Sequence, residues 1–184
     1  SPVVGTVNDE SPALLAGLQT GDRILAIGDE EIFYWEQLQK RVHESPGRSL
    51  DFKVERSGNI IQVPIAPVAE QITDLFGDKE SVGLIGITPL VRTITLVKEG
   101  TPAARAGIQE GDTLLKVDGT EIFGWGDLKI AAIDKPGQEL TFHVLRNGTE
   151  VLLKITPEAK TTKDLQGNEI EIGLLGIGMS GEMT

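Results

Sequence analysis

Ser11-Pro12-Ala13-Leu14-Leu15-Ala16-Gly17-Leu18-Gln19-Thr20-Gly21-Asp22 recurs in near copy in this 184-residue chain. Ninety residues on stands Thr101-Pro102-Ala103-Ala104-Arg105-Ala106-Gly107-Ile108-Gln109-Glu110-Gly111-Asp112. Each copy opens with a hydroxyl residue followed by proline, the pattern of a helix start. The hydroxyl can cap the first free N–H groups, and proline tolerates the first helical position because its missing N–H would have no partner there. Gly17 and Gly107 end the short helix, since glycine accepts the left-handed conformation of a C-terminal cap. Gly-Asp then leads into an apolar run, Arg23 to Ile27 in the first copy, which reads as a strand.

The register extends along the chain without a gap, and roughly a third of the aligned positions are identical. It matches Glu31-Ile32-Phe33 and Trp35 with Glu121-Ile122-Phe123 and Trp125, Pro46-Gly47 with Pro136-Gly137, and Arg56 with Arg146. Two copies of one domain follow, residues 1–89 and 90–184. Nothing between Ile87 and Thr93 has a flexible linker's composition, so the two domains are expected to sit close with a restrained orientation. Within a unit, Trp35 to Glu44 is a second, longer helix with Leu38 and Val42 on one face, stopped by Pro46-Gly47. Leu50, Phe52 and Val54 alternate with Asp51, Lys53 and Glu55, a half-buried strand that turns at Ser57-Gly58 into Ile60 to Ile65. Glu70 to Glu80 reads only as a polar stretch.

That stretch leads to Val82-Gly83-Leu84-Ile85-Gly86-Ile87-Thr88, and the second copy closes on Ile172-Gly173-Leu174-Leu175-Gly176-Ile177-Gly178. Two glycines three apart among Leu and Ile make a bend with bare backbone N–H groups and apolar flanks. Such a bend can hold an anion while the side chains build a pocket beside it. Read alone, it is equally a buried strand that begins at a glycine bulge.

Composition removes several function classes. The net charge is −11, with 14 acidic and 7 basic residues up to Leu90 and 14 against 10 after it. Acidic halves of this kind argue against nucleic acid or an anionic membrane surface as partner. The absence of cysteine excludes thiolate chemistry and disulfides. No apolar run approaches the roughly 18 residues of a membrane span, and no signal peptide opens the chain. The first residues already follow a strand pattern, so the sequence reads as a piece of something larger. His43 and His143 fall at different repeat positions and no ligand cluster accompanies them, so no metal site and no catalytic residue are assigned. Asp22 and Asp112 read as structural groups accepting turn N–H bonds. Trp35 and Trp125 are expected to pack against the core, the alternative being the domain surface near the groove.

A Ser-Pro-Ala-x-x-Ala-Gly helix, then Leu-x-x-Gly-Asp-x-Ile-Leu, a turn, a second helix and two strands resembles the PDZ domain, over almost the whole chain. The resemblance implies a mainly β fold with two helices per domain, two tandem partly open β-barrels or sandwiches. It also implies capture of a polypeptide C-terminus, which adds a strand beside the longer helix while its carboxylate meets the glycine-rich loop. A copy of that loop follows each unit rather than preceding it, as in the permuted bacterial PDZ arrangement. The residues expected to face a peptide are Gly83, Leu84, Ile85, Gly86 and Ile87 with Leu38 and Val42 in the first domain. In the second they are Gly173, Leu174, Leu175, Gly176 and Ile177 with Leu128 and Ala132, the smaller Ala132 leaving more room. For Leu38 and Leu128 a purely core role is an equal alternative.

The tandem is similar to the insert of bacterial site-2 proteases, intramembrane zinc metalloproteases of envelope stress signalling. That likeness implies a non-catalytic regulatory piece of a multi-pass membrane protein, at the periplasmic face of the inner membrane. It would bind the hydrophobic C-terminus of a membrane-protein substrate such as an anti-sigma factor, or gate its access. Zinc is expected in the full-length protease and no cofactor in this piece, because His43-Glu44 is not followed by the second His of His-Glu-x-x-His. The alternatives are a peptide-binding module of a heat-shock serine protease of the envelope, and a scaffold with closed grooves.

Overall fold

The computed structural model describes residues 1–181; the last three residues of the expected second domain lie outside the described residues. The chain divides into two compact units, Ser1–Leu90 and a second beginning at Val91. The first contains β1 (Val4–Val7), α1 (Pro12–Ala16), β2 (Arg23–Ile27), β3 (Glu30–Glu31), α2 (Trp35–His43), β4 (Leu50–Arg56), β5 (Asn59–Ile65), β6 (Val68–Thr73), β7 (Lys79–Leu84) and β8 (Ile87–Pro89). Strands β3-β2-β4-β5 form one antiparallel sheet in that order, β1 pairs with β8, and β6 pairs with β7.

The second unit repeats this order with β9 (Val91–Val97), α3 (Pro102–Ala106), β10 (Thr113–Val117), β11 (Thr120–Glu121) and α4 (Trp125–Leu128). A π-helical turn, Lys129–Ile133, continues α4 and is followed by β12 (Leu140–Arg146), β13 (Thr149–Ile155), β14 (Glu158–Lys163), β15 (Glu169–Leu174) and β16 (Ile177–Gly181). Here the sheet is continuous, β13-β12-β10-β9-β16 with β11 on β10, and β14 pairs with β15. The fold of each unit is mainly β, with open sheets and two helical segments.

Local chemistry accounts for these elements. Ser11 Oγ accepts from Leu14 N at 3.2 Å at the head of α1, and Gly17 closes it at φ 90°. The second copy changes one bond, because Thr101 Oγ1 donates to the Lys98 carbonyl at 2.6 Å instead of capping. Strand β4 alternates as its sequence does, with Leu50, Phe52 and Val54 buried and Asp51 and Lys53 exposed. Each unit closes on its own core. Phe52 and Phe142, ninety apart, are the largest fully buried side chains, and Ile24, Ile32 and Leu38 recur as Leu114, Ile122 and Leu128. Each such side chain contributes about 1.5–3 kcal/mol relative to remaining exposed.

The polar stretch from Glu70 to Glu80 is in fact the hairpin β6–β7, in register from Val68 opposite Leu84 to Thr73 opposite Lys79. All of β6 is exposed, so water on both faces removes the apolar alternation that marks a strand. Its tip is fixed by Asp74, whose Oδ1 accepts from the amides of Phe76 and Asp78, both at 2.9 Å.

Candidate binding grooves

The two glycines of the first bend are required for different reasons. Gly83 passes so close to the end of α2 that a Cβ there would lie 2.5 Å from the Val42 carbonyl oxygen. Gly86 takes φ 80°, which suits glycine, and a Cβ on it would fall on the Ser11 side chain. Between them the backbone is turned in one sense. The carbonyl of Ile85 accepts from Ala13 N at 3.0 Å, and that of Gly86 accepts from Asn8 N at 2.8 Å. Both carbonyls are thus fixed onto β1 and α1. Among the described residues the amides of Ile85 and Gly86 make no hydrogen bond to the protein. Successive free N–H groups beside a left-handed glycine form a concavity that favours an anion.

An apolar cavity of about 200 Å³ adjoins these amides. Leu84, Ile85, Gly86 and Ile87 form one wall, and Leu38 and Val42 are supplied by α2. Leu38 and Val42 are 2% and 3% exposed and also belong to the core, so they serve as its floor. Gly83 stands behind the wall and does not line the cavity. Trp35, Gln39 and His43 line its helix side, and Asn8 closes the end beside Gly86. A larger, open cavity of about 600 Å³ lies on the far side of α2, against Ile72 and Glu80 of β6–β7. Its charged lining, with Glu36, Lys40 and Glu44, makes it a poor host for an apolar group.

The second unit repeats the bend. Leu175 O accepts from Ala103 N at 3.1 Å, Gly176 O accepts from Lys98 N at 2.8 Å, and Gly176 has φ 86°. Among the described residues the amides of Leu175 and Gly176 have no protein acceptor. The adjoining cavity, about 300 Å³, is walled by Gly173, Leu174, Leu175, Gly176 and Ile177. Its helix side differs from expectation. Leu128 and Ala132 are fully buried in the core and do not line this cavity; Trp125 and Ile133 do. The helix also ends differently: Asp134 N reaches back five residues to Lys129 O at 2.8 Å, where Glu44 N in the first unit reaches Lys40 O at 3.1 Å. Ala131 and Ala132 are both buried, and Ile133 lines the groove at the position His43 takes in the first unit.

Both tryptophans depart from the reading that placed them in the core. Trp125 is 44% exposed, and each tryptophan lines its cavity. At the first helical position each tryptophan stands one turn before Leu38 or Leu128 and lines the groove. Helical spacing from Leu38 could have found Trp35, three residues earlier. No sequence signal pointed to Asn8 or Lys98, which follow β1 and β9 and reach the bend only through the fold.

His143 and the aspartates that recur in the two copies serve structure. His143 is half-buried on β12 with Nδ1 2.9 Å from Glu150. Asp22 Oδ2 accepts from Gln19 N at 2.8 Å, the turn bond its position predicts. It also accepts from Arg56, a pairing the sequence did not reveal, with Nε to Oδ1 at 2.7 Å and Nη2 to Oδ2 at 2.6 Å. In the second unit burial pushes the Asp112 carboxyl up, but hydrogen bonds from Arg146 and the Gln109 amide outweigh it and hold it below the ordinary value. No three His, Asp or Glu side chains cluster as a metal ion would need among the described residues. No helix among them is long and apolar enough to cross a membrane.

Comparison with known proteins agrees with this architecture. PDZ domain family models match residues 3–56 and residues 80–156. The second match starts within β7 and so groups the first bend with the domain that follows it. In the structure that bend is bonded to Asn8 and Ala13, and β8 pairs with β1, so it closes the domain that precedes it. A Treponema pallidum protein carrying the name zinc metalloprotease is 38% identical over 123 residues, 66% of this chain and 26% of its own length. Zinc metalloprotease RasP of Geobacillus kaustophilus is 32% identical over 101 residues, 54% of this chain and 23% of its own. Regulator of sigma-E protease RseP of Escherichia coli is 26% identical over 190 aligned positions, 96% of this chain and 39% of its own. The chain therefore spans well under half the length of these curated relatives. It belongs to the PDZ family and carries two such domains in tandem, similar to the PDZ region of site-2 zinc metalloproteases.

Proposed function

We propose that this PDZ pair is the regulatory, non-catalytic segment of a site-2 intramembrane metalloprotease and receives the hydrophobic C-terminus of a substrate already cut once. The observation that carries this reading is the bend at Ile85-Gly86, with both carbonyls bonded inward and both amides open beside an apolar cavity. A terminal carboxylate would take those amides, and a small or medium apolar side chain would enter over Leu38 and Val42. The preceding peptide residues would add a strand along β8. The substrate would be a membrane protein such as an anti-sigma factor, presented at the periplasmic face of the inner membrane. Zinc and the residues that cleave would lie in other parts of the full-length protease.

Isothermal titration with peptides ending in Val, Ala or Leu tests this. Saturable binding that Ile87→Gly and Ile177→Gly weaken supports it. Absence of binding to the wild-type chain overturns the receptor role and leaves steric screening of bulky substrates as the function.

A further inference from the structure

The two grooves differ most at the end where a carboxylate would sit. Asn8 and Lys98 occupy the same place in the repeat: each donates its backbone N–H to the carbonyl of the bend's second glycine at 2.8 Å, and each lines its cavity. The three residues starting there are Asn8-Asp9-Glu10 in the first unit and Lys98-Glu99-Gly100 in the second. Their formal charge is −2 in the first unit and 0 in the second. The Lys98 side chain is exposed and in no ion pair among the described residues. It is also the one charged residue lining a cavity otherwise walled by Leu96, Trp125, Ile133 and the Leu- and Ile-rich bend. The first cavity has neutral Asn8 and Gln39 with His43 instead.

We propose that Lys98 is a specificity-determining residue that makes the grooves unequal. The second groove is a charge-assisted receptor for a free peptide α-carboxylate, whereas the first, with Asn8 at the same place, binds one more weakly. Lys98 lines the same cavity as Leu175 and Gly176, so its ammonium would add attraction to an anion held on those amides, while Asp9 and Glu10, next to Asn8 in the chain, would disfavour one at Ile85 and Gly86. This rests on the reading of the bends as carboxylate sites.

Each groove carries one of the two tryptophans in the chain, which gives each its own reporter. In Trp35→Phe the fluorescence reports the second groove, and in Trp125→Phe the first. Both are titrated with a Val-ended peptide as free acid and as C-terminal amide, at low and high salt. The free acid is expected to bind the second groove more tightly than the first. Lys98→Asn in the Trp35→Phe background should weaken it by about two- to fivefold, the effect of a solvent-exposed charge pair, and flatten its salt dependence. Asn8→Lys in the Trp125→Phe background should tighten the first groove. Unchanged affinity and salt dependence in Lys98→Asn overturn the role of Lys98 while leaving the bends as carboxylate sites. Equal binding of acid and amide, or no binding at either reporter, overturns the carboxylate reading itself and this proposal with it.

Discussion

Asp112 holds both arms of the Arg146 guanidinium, Nε at 2.8 Å and Nη2 at 2.7 Å, with the carboxylate nearly closed off from water. The same Nη2 donates to the Gly107 carbonyl at 2.8 Å, so one arginine ties β12 to the end of α3 and to the start of β10. Arg56 and Asp22 repeat the arrangement ninety residues earlier. Replacing Arg146 by Ala leaves a buried, uncompensated carboxylate and should cost about 3 kcal/mol, measured by urea denaturation of variant and wild type.

The same pair sets a pH dependence. The folded pKa of Asp112 lies below its ordinary value of 3.8, so its stabilisation is complete well above that value and is lost as pH falls through the lower, folded one. Urea midpoints taken from neutral pH into acid should fall less steeply below pH about 4 in Asp112→Asn than in wild type, from a lower neutral starting point. Parallel acid limbs would show that the carboxylate contributes no such linkage.

Three glycine-to-alanine changes separate close approach from backbone strain. Gly83→Ala places a methyl against the Val42 carbonyl, which cannot yield without moving α2, and should cost about 1–3 kcal/mol. Gly86→Ala adds left-handed strain to a clash with Ser11 and should cost more than Gly77→Ala. At Gly77, φ is 86° with open space around it, so only the strain of about 1–2 kcal/mol remains. Thermal unfolding of the three variants should order them accordingly.

Apolar residues at the two extremes of exposure should behave oppositely. Phe52 is fully buried in the first core, and Phe52→Ala should cost about 3–5 kcal/mol. Phe76 at the β6–β7 tip is 91% exposed, and Phe76→Ser should change stability by less than about 0.5 kcal/mol. Denaturant midpoints decide both.

Sequence carried the repeat, the caps of α1 and the alternation of β4 onto the correct elements, because each rests on chemistry local to a few residues. The bend at Gly83–Ile87 and its floor of Leu38 and Val42 were legible for the same reason, given the resemblance. What stayed hidden depends on the fold. Strand β6 carries no apolar period because both faces meet water. Ala132 is buried as its counterpart Val42 is, but it does not reach the cavity, whereas Val42 lines the first one. Asn8 and Lys98 reach the bends through β1 and β9, far away in sequence.

The central claim, that each bend receives a chain-end carboxylate for the domain it closes, is tested most directly by amide chemical shifts. Adding a Val-ended peptide to the isotope-labelled chain should shift the amides of Ile85 and Gly86, or of Leu175 and Gly176, together with groove residues of that same domain. The C-terminal amide of that peptide should leave them nearly unmoved. Equal shifts from acid and amide, or shifts elsewhere with the bend amides still, would contradict the account.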